Sequence, residues 1–266
     1  MPDFLTALHL SPWQWFLAAL SGVVIGASKT GLTGIAFLAF LMLADIFGTR
    51  PSTGVALPML LLADFFAVGY YNRHAHWKYL LKLMPGVMAG LLIAMVAGSK
   101  ASDRTFGVLF AVTLLILILI MVWRDVRKTE LVVPDTAWFS GAMGLSAGFA
   151  TMIGNVAGPV MSFYLLSMRL PKSAFIGTGA WFYLAVNIIK VPLHFYVWHT
   201  ISMRTLIFDL AVSPFIVIGI VGGIFTVKRI PEKAYRILVM ASVILAAVMI
   251  VVKFFLLGAA ANVTRA

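Results

Sequence analysis

The sequence contains two related halves, offset by 123 residues. Four positions of the first half and their counterparts in the second carry the same or a similar residue, with no gap needed: Gly31 and Gly154, Gly54 and Gly177, Asp64 and Asn187, His76 and His199. Each half also opens with a polar stretch inside an apolar run, at 26–31 and at 151–155. Paired halves with polar breaks are typical of proteins that place a site between internal repeats in a membrane.

Composition assigns the chain to the membrane proteins. Hydrophobic residues make up 62% of it and charged residues 11%, with a mean hydropathy of +1.03, whereas soluble domains have roughly 45–50% and about 25%. We therefore predict an all-α polytopic protein in contact with a lipid bilayer. The absence of cysteine excludes disulfides, thiolate metal sites and thiol catalysis. The net charge of +11 reflects basic residues in short loops, which orient the chain in the membrane, so no nucleic-acid partner is predicted.

Apolar runs of about 20 residues are long enough to span the membrane. Six such runs lie near 53–71, 79–98, 105–123, 173–193, 205–227 and 234–257. Two other stretches, 11–47 and 137–168, are too long for one span, and each is divided by its polar break. We assign residues 1–123 to a first transmembrane repeat, 124–136 to a linker and 137–266 to a second repeat.

The loop charges favour ten membrane segments. With ten, the basic loop residues divide 12 to 5 between the two sides, whereas with eight they divide 9 to 8. A strong bias is expected because lysine and arginine accumulate in cytoplasmic loops. Ten segments give five per half, and an odd number inverts the second repeat relative to the first. Re-entrant hairpins at the breaks would change the count, so eight crossings stay open.

Three charged residues lie deep inside apolar runs. Lys29 lies in the first polar stretch, Lys190 lies in a later segment, and Asp64 is the acidic residue well inside a span, at the position that matches Asn187. A lysine at the bilayer centre costs roughly 2.5–3.5 kcal/mol, so such residues indicate function. Two cations and one anion leave a local surplus of positive charge, which favours binding of an anionic substrate. The alternative is a structural lysine–aspartate pair with a second lysine reaching towards the interface.

The polar breaks themselves are candidate anion sites. Where a helix is interrupted, the next one starts with unpaired N–H groups and a partial positive charge, which attract anions. The candidate substrate-binding residues are those of the two breaks together with Lys190: Ser28, Lys29, Thr30, Gly31, Thr33, Thr151, Gly154 and Asn155. The alternative is that the glycines only allow helices to pack closely.

Further residues are candidates for coupling and for lining a cavity. His76 and His199 occupy matched positions and histidine titrates near neutral pH, which suits gating or proton relay; ordinary polar loop residues are the alternative. Asp64 and Asn187 are the matched pair inside the spans, and Asp64 could carry a coupling proton. Trp181 and Tyr183 follow Gly177-Thr-Gly179 and are candidates for lining a cavity, or for packing.

The breaks and loops resemble those of the TauE/SafE sulfite-exporter family. The motifs that carry the resemblance are Gly22-x3-Gly26-Ala-Ser-Lys-Thr-Gly31, Arg50-Pro-Ser-Thr-Gly54, His74-Ala-His76-Trp77 and Pro85-Gly86. This resemblance implies transport of a small sulfur-containing anion, such as sulfite, sulfoacetate or a related sulfonate, across the bacterial inner membrane. The second half departs from the first because its break has no lysine; Lys190 could supply the missing charge.

The leading hypothesis is a secondary carrier that works by alternating access and needs no cofactor or metal. A carrier of another small anion, such as a carboxylate, is the first alternative. A membrane subunit with no transport activity is the second. An enzyme is not predicted, since no catalytic cluster such as His-Glu-x-x-His is present. A coupling proton and a homodimer are both compatible with the sequence.

Overall fold

The computed structural model describes residues 10–32, 35–102 and 136–231, with isolated positions between 105 and 112 and between 234 and 241. These residues form helices and turns, and they contain no strand. In chain order the helices are α1 (Pro12–Lys29), α2 (Ala36–Phe47), α3 (Thr49–Tyr71), α4 (Trp77–Lys100), α5 (Ala137–Gly154), α6 (Gly158–Ser167), α7 (Lys172–Pro192) and α8 (Met203–Arg229). The segments predicted at 105–123 and 234–257 and the linker at 124–136 fall mostly outside the described residues, as does Thr33.

Four helices are long and apolar enough to cross a membrane, which makes this a multi-pass membrane protein. They are α3, α4, α7 together with the π-helical turn Leu193–Val197 that continues it, and α8. They confirm four of the six long spans predicted from the sequence. Helices α2 and α6 have 12 and 10 residues, so they rise only about 18 and 15 Å, less than the roughly 30 Å of a bilayer core.

Helices α3 and α7 run antiparallel through the middle of the molecule. Gly54, near the start of α3, lies against Thr200, which follows α7. Gly177, near the start of α7, lies against the carbonyl of Tyr71 at the end of α3. Each glycine lacks the Cβ that would collide with its neighbour, so the start of each helix can pack tightly against the end of the other.

The molecule consequently has two ends, which we name after one residue at each. At the Trp198 end, the indole N–H of Trp198 donates to the hydroxyl of Ser99 at 3.1 Å, which brings the end of α7 to the end of α4. At the Lys172 end, the ammonium of Lys172 donates to the carbonyl of Ile230 at 2.7 Å, which brings the start of α7 to the end of α8.

Small residues join the first half of the chain to the second. A Cβ added to Gly26 of α1 would lie 2.1 Å from the carbonyl oxygen of Ile216 on α8. One added to Gly90 of α4 would lie 2.1 Å from that of Leu145 on α5. Such close backbone approach is how small residues hold helices together in membranes. The pairs α1–α8 and α4–α5 therefore connect the two halves, with α3 and α7 crossing between them.

Candidate functional site

Lys29 and Asp64 form a buried ion pair. Lys29 is the last residue of α1, and its ammonium lies 2.9 Å from Oδ1 of Asp64 on α3. The aspartate side chain is fully buried and the lysine side chain is 8% exposed. Asn187 of α7 donates its amide to Oδ2 of the same carboxylate at 2.7 Å. The sequence-matched pair Asp64 and Asn187 is therefore in direct contact, and the charge of Lys29 is compensated.

Lys190 is a second buried cation, and its partners are neutral. Its side chain is fully buried on α7. The ammonium donates to the side-chain oxygen of Asn155, to the hydroxyl of Thr151 at 3.3 Å and to the side-chain oxygen of Asn187 at 3.3 Å. These acceptors orient the lysine without cancelling its charge. The alternative in which the second lysine reaches towards the membrane interface does not apply.

We call these six residues the central cluster: Lys29, Asp64, Thr151, Asn155, Asn187 and Lys190. With both lysines protonated and the aspartate ionised, it carries one net positive charge. Asn187 links the two parts, since it donates to Asp64 and accepts from Lys190. Charges buried in a membrane protein are costly unless they are paired or serve a function. A bound anion would neutralise this excess positive charge.

The first polar stretch ends helix α1 towards the Lys172 end. The hydroxyls of Ser28 and Thr30 donate back to carbonyls of α1, at 2.8 Å to Ile25 and at 3.2 Å to Gly26. Gly31 has a φ of +127°, a conformation that favours glycine. Lys29 therefore lies at the C-terminal end of a helix, whereas the sequence had suggested a helix N-terminus as its setting. The hydroxyls of Ser28 and Thr30 are engaged within their own helix.

The second polar stretch ends helix α5 towards the opposite end. Gly154 is the last helical residue, and Asn155 follows in the left-handed region with a φ of 58°. Its side-chain amide donates to the carbonyl of Thr53 at 3.0 Å, while its side-chain oxygen accepts from Lys190. Helix α6 then starts at Gly158, with a proline in its first turn. Asn155 therefore fixes both the end of α5 and the orientation of Lys190.

The larger of two cavities beside the central cluster lies on its Lys172 side. Gly31, next to Val227 of α8, is at its wall. Its polar lining comes from Ser28, Lys29, Ser162 and Tyr183, and its apolar lining includes Met161, Leu165 and Ile176. The Tyr183 ring lies 4.0 Å from the ammonium of Lys29. Tyr183 thus lies in the wall of this cavity, next to Lys29.

A second, smaller cavity lies on the Trp198 side. Its lining includes Ser52 and Thr53 at the start of α3 and Gly154 and Asn155 at the end of α5. The counterparts of the first three, 123 residues away, are Phe175, Ile176 and Gly31, and all three line the larger cavity. The two cavities therefore occupy equivalent positions in the two halves, on opposite sides of the central cluster.

Three of the predicted residues lie away from the central cluster. The side chains of His76 and His199 are exposed, at the turns that follow α3 and α7. The backbone N–H of His76 donates to the hydroxyl of Thr178 at 3.0 Å. Trp181 packs against Trp77, with ring centroids 4.8 Å apart. Gating roles for the two histidines stay predictions, and the structure gives Trp181 a packing contact.

Sequence reasoning missed two buried titratable residues, His194 and Asp209. His194 is fully buried one turn beyond Lys190, and its Nδ1 lies 2.8 Å from the hydroxyl of Thr200. Its spacing of four residues from Lys190 places both on one helix face, a signal that could have revealed it. Asp209 of α8 is 7% exposed, and its carboxylate oxygens have no hydrogen-bond partner within the described part of the chain.

The described helices thus carry a buried cluster with two lysines, with a cavity on each side of it, in a multi-pass membrane protein. The described residues contain no group of three histidine, aspartate or glutamate side chains that could hold a metal ion. The sequence matches the family described as Sulfite exporter TauE/SafE over residues 16–250, and the chain belongs to that family. Its members are anion transporters and not enzymes. No curated protein and no solved structure gave a significant match.

Proposed function

We propose that this protein is a secondary carrier that moves a small sulfur-containing anion across the bacterial inner membrane by alternating access. Sulfite, sulfoacetate or a related organosulfonate is the substrate that family membership favours. The observation that carries the proposal is the fully buried amine of Lys190, which is held by neutral oxygens and, when protonated, leaves the central cluster with a net positive charge. Family membership sets aside the alternative of a membrane subunit without transport activity.

Lys190 provides the charge that attracts the anion, and its neighbours position that charge. An anion entering the cluster would meet an ammonium that Thr151, Asn155 and Asn187 already orient. A charge-assisted hydrogen bond to an oxyanion is short and about twice as strong as a neutral one. Lys29 contributes to the same field, but Asp64 neutralises most of its effect. No metal is needed to bind the anion in this arrangement.

The arrangement of the helices supports a pair of inverted repeats. The pairs α1–α8 and α4–α5 are equivalent under the 123-residue offset, and α3 and α7, which correspond to each other, run antiparallel. The Asp64–Asn187 hydrogen bond joins two residues separated by 123 positions. Such a contact is expected where α3 meets α7, its counterpart in the other repeat, at a pseudo-twofold axis in the membrane plane. Ten crossings require α2 and α6 to act as short segments that return through the membrane.

Equivalent cavities on opposite sides of one charged site are the arrangement that alternating access requires. The larger cavity would communicate with one side of the membrane and the smaller with the other. Among the described residues, seven loop or helix-end cations lie at the Lys172 end and three at the Trp198 end: Arg73, Lys78, Lys82, Arg169, Lys172, Lys228 and Arg229, against Arg50, Lys100 and Arg204. The positive-inside bias therefore favours a cytoplasmic Lys172 end.

Single cysteines test this proposal cleanly, because the chain has none of its own. Ala44 lines the smaller cavity and Ala180 the larger one. We expect Ala44→Cys to react with a membrane-impermeant thiol reagent only from the Trp198 side of oriented vesicles, and Ala180→Cys only from the Lys172 side. Adding ethanesulfonate should change the two reaction rates in opposite directions, because a carrier opens one cavity as it closes the other.

The control is a cysteine in place of Lys100, an exposed residue at the Trp198 end. It should react from that side at a rate that the anion does not change. Reaction of both cavity cysteines from the same side would rule out the proposed arrangement. Parallel changes in both rates would argue against alternating access.

A further inference from the structure

We infer that Ser162 forms a ligand subsite in the larger cavity, where its hydroxyl binds an oxygen of an organic anion with a short carbon chain. The inference rests on the proposed function, since it assigns a contact to the anion that the carrier moves. It adds a residue outside the two polar breaks. It also specifies which part of the anion the larger cavity accommodates.

The hydroxyl of Ser162 is buried and has no partner among the described residues. The side chain is 1% exposed, and its oxygen makes no hydrogen bond there. The residue lies on α6 and lines the larger cavity together with Lys29 and Tyr183. An unpaired buried hydroxyl costs about 1–3 kcal/mol. Such a group is retained where a ligand supplies the missing partner.

Seven other serines in the described helices behave differently. Their hydroxyls donate to a carbonyl three or four residues earlier in the same helix, as serine commonly does. This holds for Ser21, Ser28, Ser52, Ser99, Ser146, Ser167 and Ser213. The contrast is clearest within α6, where Ser167 donates to the carbonyl of Phe163 at 2.8 Å. Ser162 lacks this bond, so its donor and its acceptor both stay available to the cavity.

The lining of the cavity indicates the chemistry of the ligand. Lys29 and Ser162 supply N–H and O–H donors, and an ammonium with three N–H groups can bind Asp64 and a ligand together. Met161, Leu165 and Ile176 supply apolar surface. An anionic head with a short alkyl part uses both kinds of surface. A bare inorganic oxyanion leaves the apolar surface without a partner.

The test compares Ser162→Ala with Ser167→Ala in the purified full-length protein. Binding of ethanesulfonate is followed by titration of the thermal unfolding midpoint. We expect Ser162→Ala to weaken binding about tenfold or more, the effect of losing a hydrogen bond to a charged group. Ser167→Ala should bind as the wild type does. The unliganded midpoint of Ser162→Ala should be unchanged or higher, because an unpaired buried hydroxyl has been removed, whereas a structural role would lower it.

Chain length provides a second measurement. In the wild type, ethanesulfonate should bind about fourfold more tightly than methanesulfonate, as expected for one buried methylene. If Ser162→Ala gives too little folded protein, Ser162→Cys keeps the volume and offers only a weak donor. Equal affinity of the wild type and both Ser162 variants would overturn the subsite while the proposed function stands. If the wild type itself binds no anion, the proposed function fails first.

Discussion

Replacing Lys190 with methionine should abolish anion transport while leaving the protein folded. Methionine matches much of the length and volume of the lysine side chain but removes the charge, so the central cluster becomes electrically neutral. Losing one partner of a buried, hydrogen-bonded charge pair typically costs 2–5 kcal/mol, which is about thirtyfold or more in affinity. We therefore expect uptake of labelled ethanesulfonate into proteoliposomes to fall to the level of empty vesicles.

The matched control for this variant is Lys100→Met. Lys100 is exposed at the end of α4, so the same chemical change there removes a surface charge only. Transport by Lys100→Met should equal that of the wild type. Wild-type flux through Lys190→Met would show that the buried ammonium is not the group that binds the substrate.

Breaking the Lys29–Asp64 pair should produce the second large effect, on stability. Removing one partner of a buried ion pair typically costs about 3–5 kcal/mol, because the other charge is left without compensation. We expect both Lys29→Met and Asp64→Asn to lower the thermal unfolding midpoint strongly in detergent. The double variant should recover most of that loss, since it leaves neither charge behind. It should also bind the anion, because Lys190 still provides a net positive charge.

Comparing the two single variants with the double variant isolates the interaction between Lys29 and Asp64. Asparagine at position 64 keeps an oxygen that can accept from Asn187, so the 2.7 Å hydrogen bond between these two residues can persist. A double variant whose loss equals the sum of the two single losses would show that the residues do not act as a pair. Loss of anion binding in a well-folded double variant would instead assign the essential charge to Lys29.

Much of the central cluster could be predicted from the sequence because buried charge and internal symmetry leave clear signals. Lys29, Asp64 and Lys190 stand out inside apolar runs, where charge is costly. Asp64 and Asn187 were matched by position alone, and they are hydrogen-bonded in the structure. Two equivalent elements that meet at a symmetry axis place matched residues side by side. The sequence also placed both helix interruptions, near Gly31 and Gly154.

What could not be predicted depends on how each helix is rotated. The sequence does not reveal that Asp64 faces Lys29 whereas Lys190 faces Asn155, since that depends on which sides of α3, α5 and α7 meet. In the sequence, nothing distinguishes Ser162 from any other small residue in an apolar helix. His76 and His199 drew attention because their positions match, but both follow the ends of their helices and are exposed. The coupling proton and the homodimer stay predictions.

If an excess of buried positive charge selects the substrate, two ligands of the same shape but different charge should bind very differently. Ethanesulfonate and ethyl methyl sulfone have nearly the same shape and size, but only the first carries a negative charge. A ligand that binds the native state raises stability, by about 2.7 kcal/mol at a hundred times its Kd. We expect the sulfonate to raise the unfolding midpoint of the wild-type protein and the sulfone to leave it unchanged. Equal stabilisation by the two ligands, or by neither, would contradict this expectation.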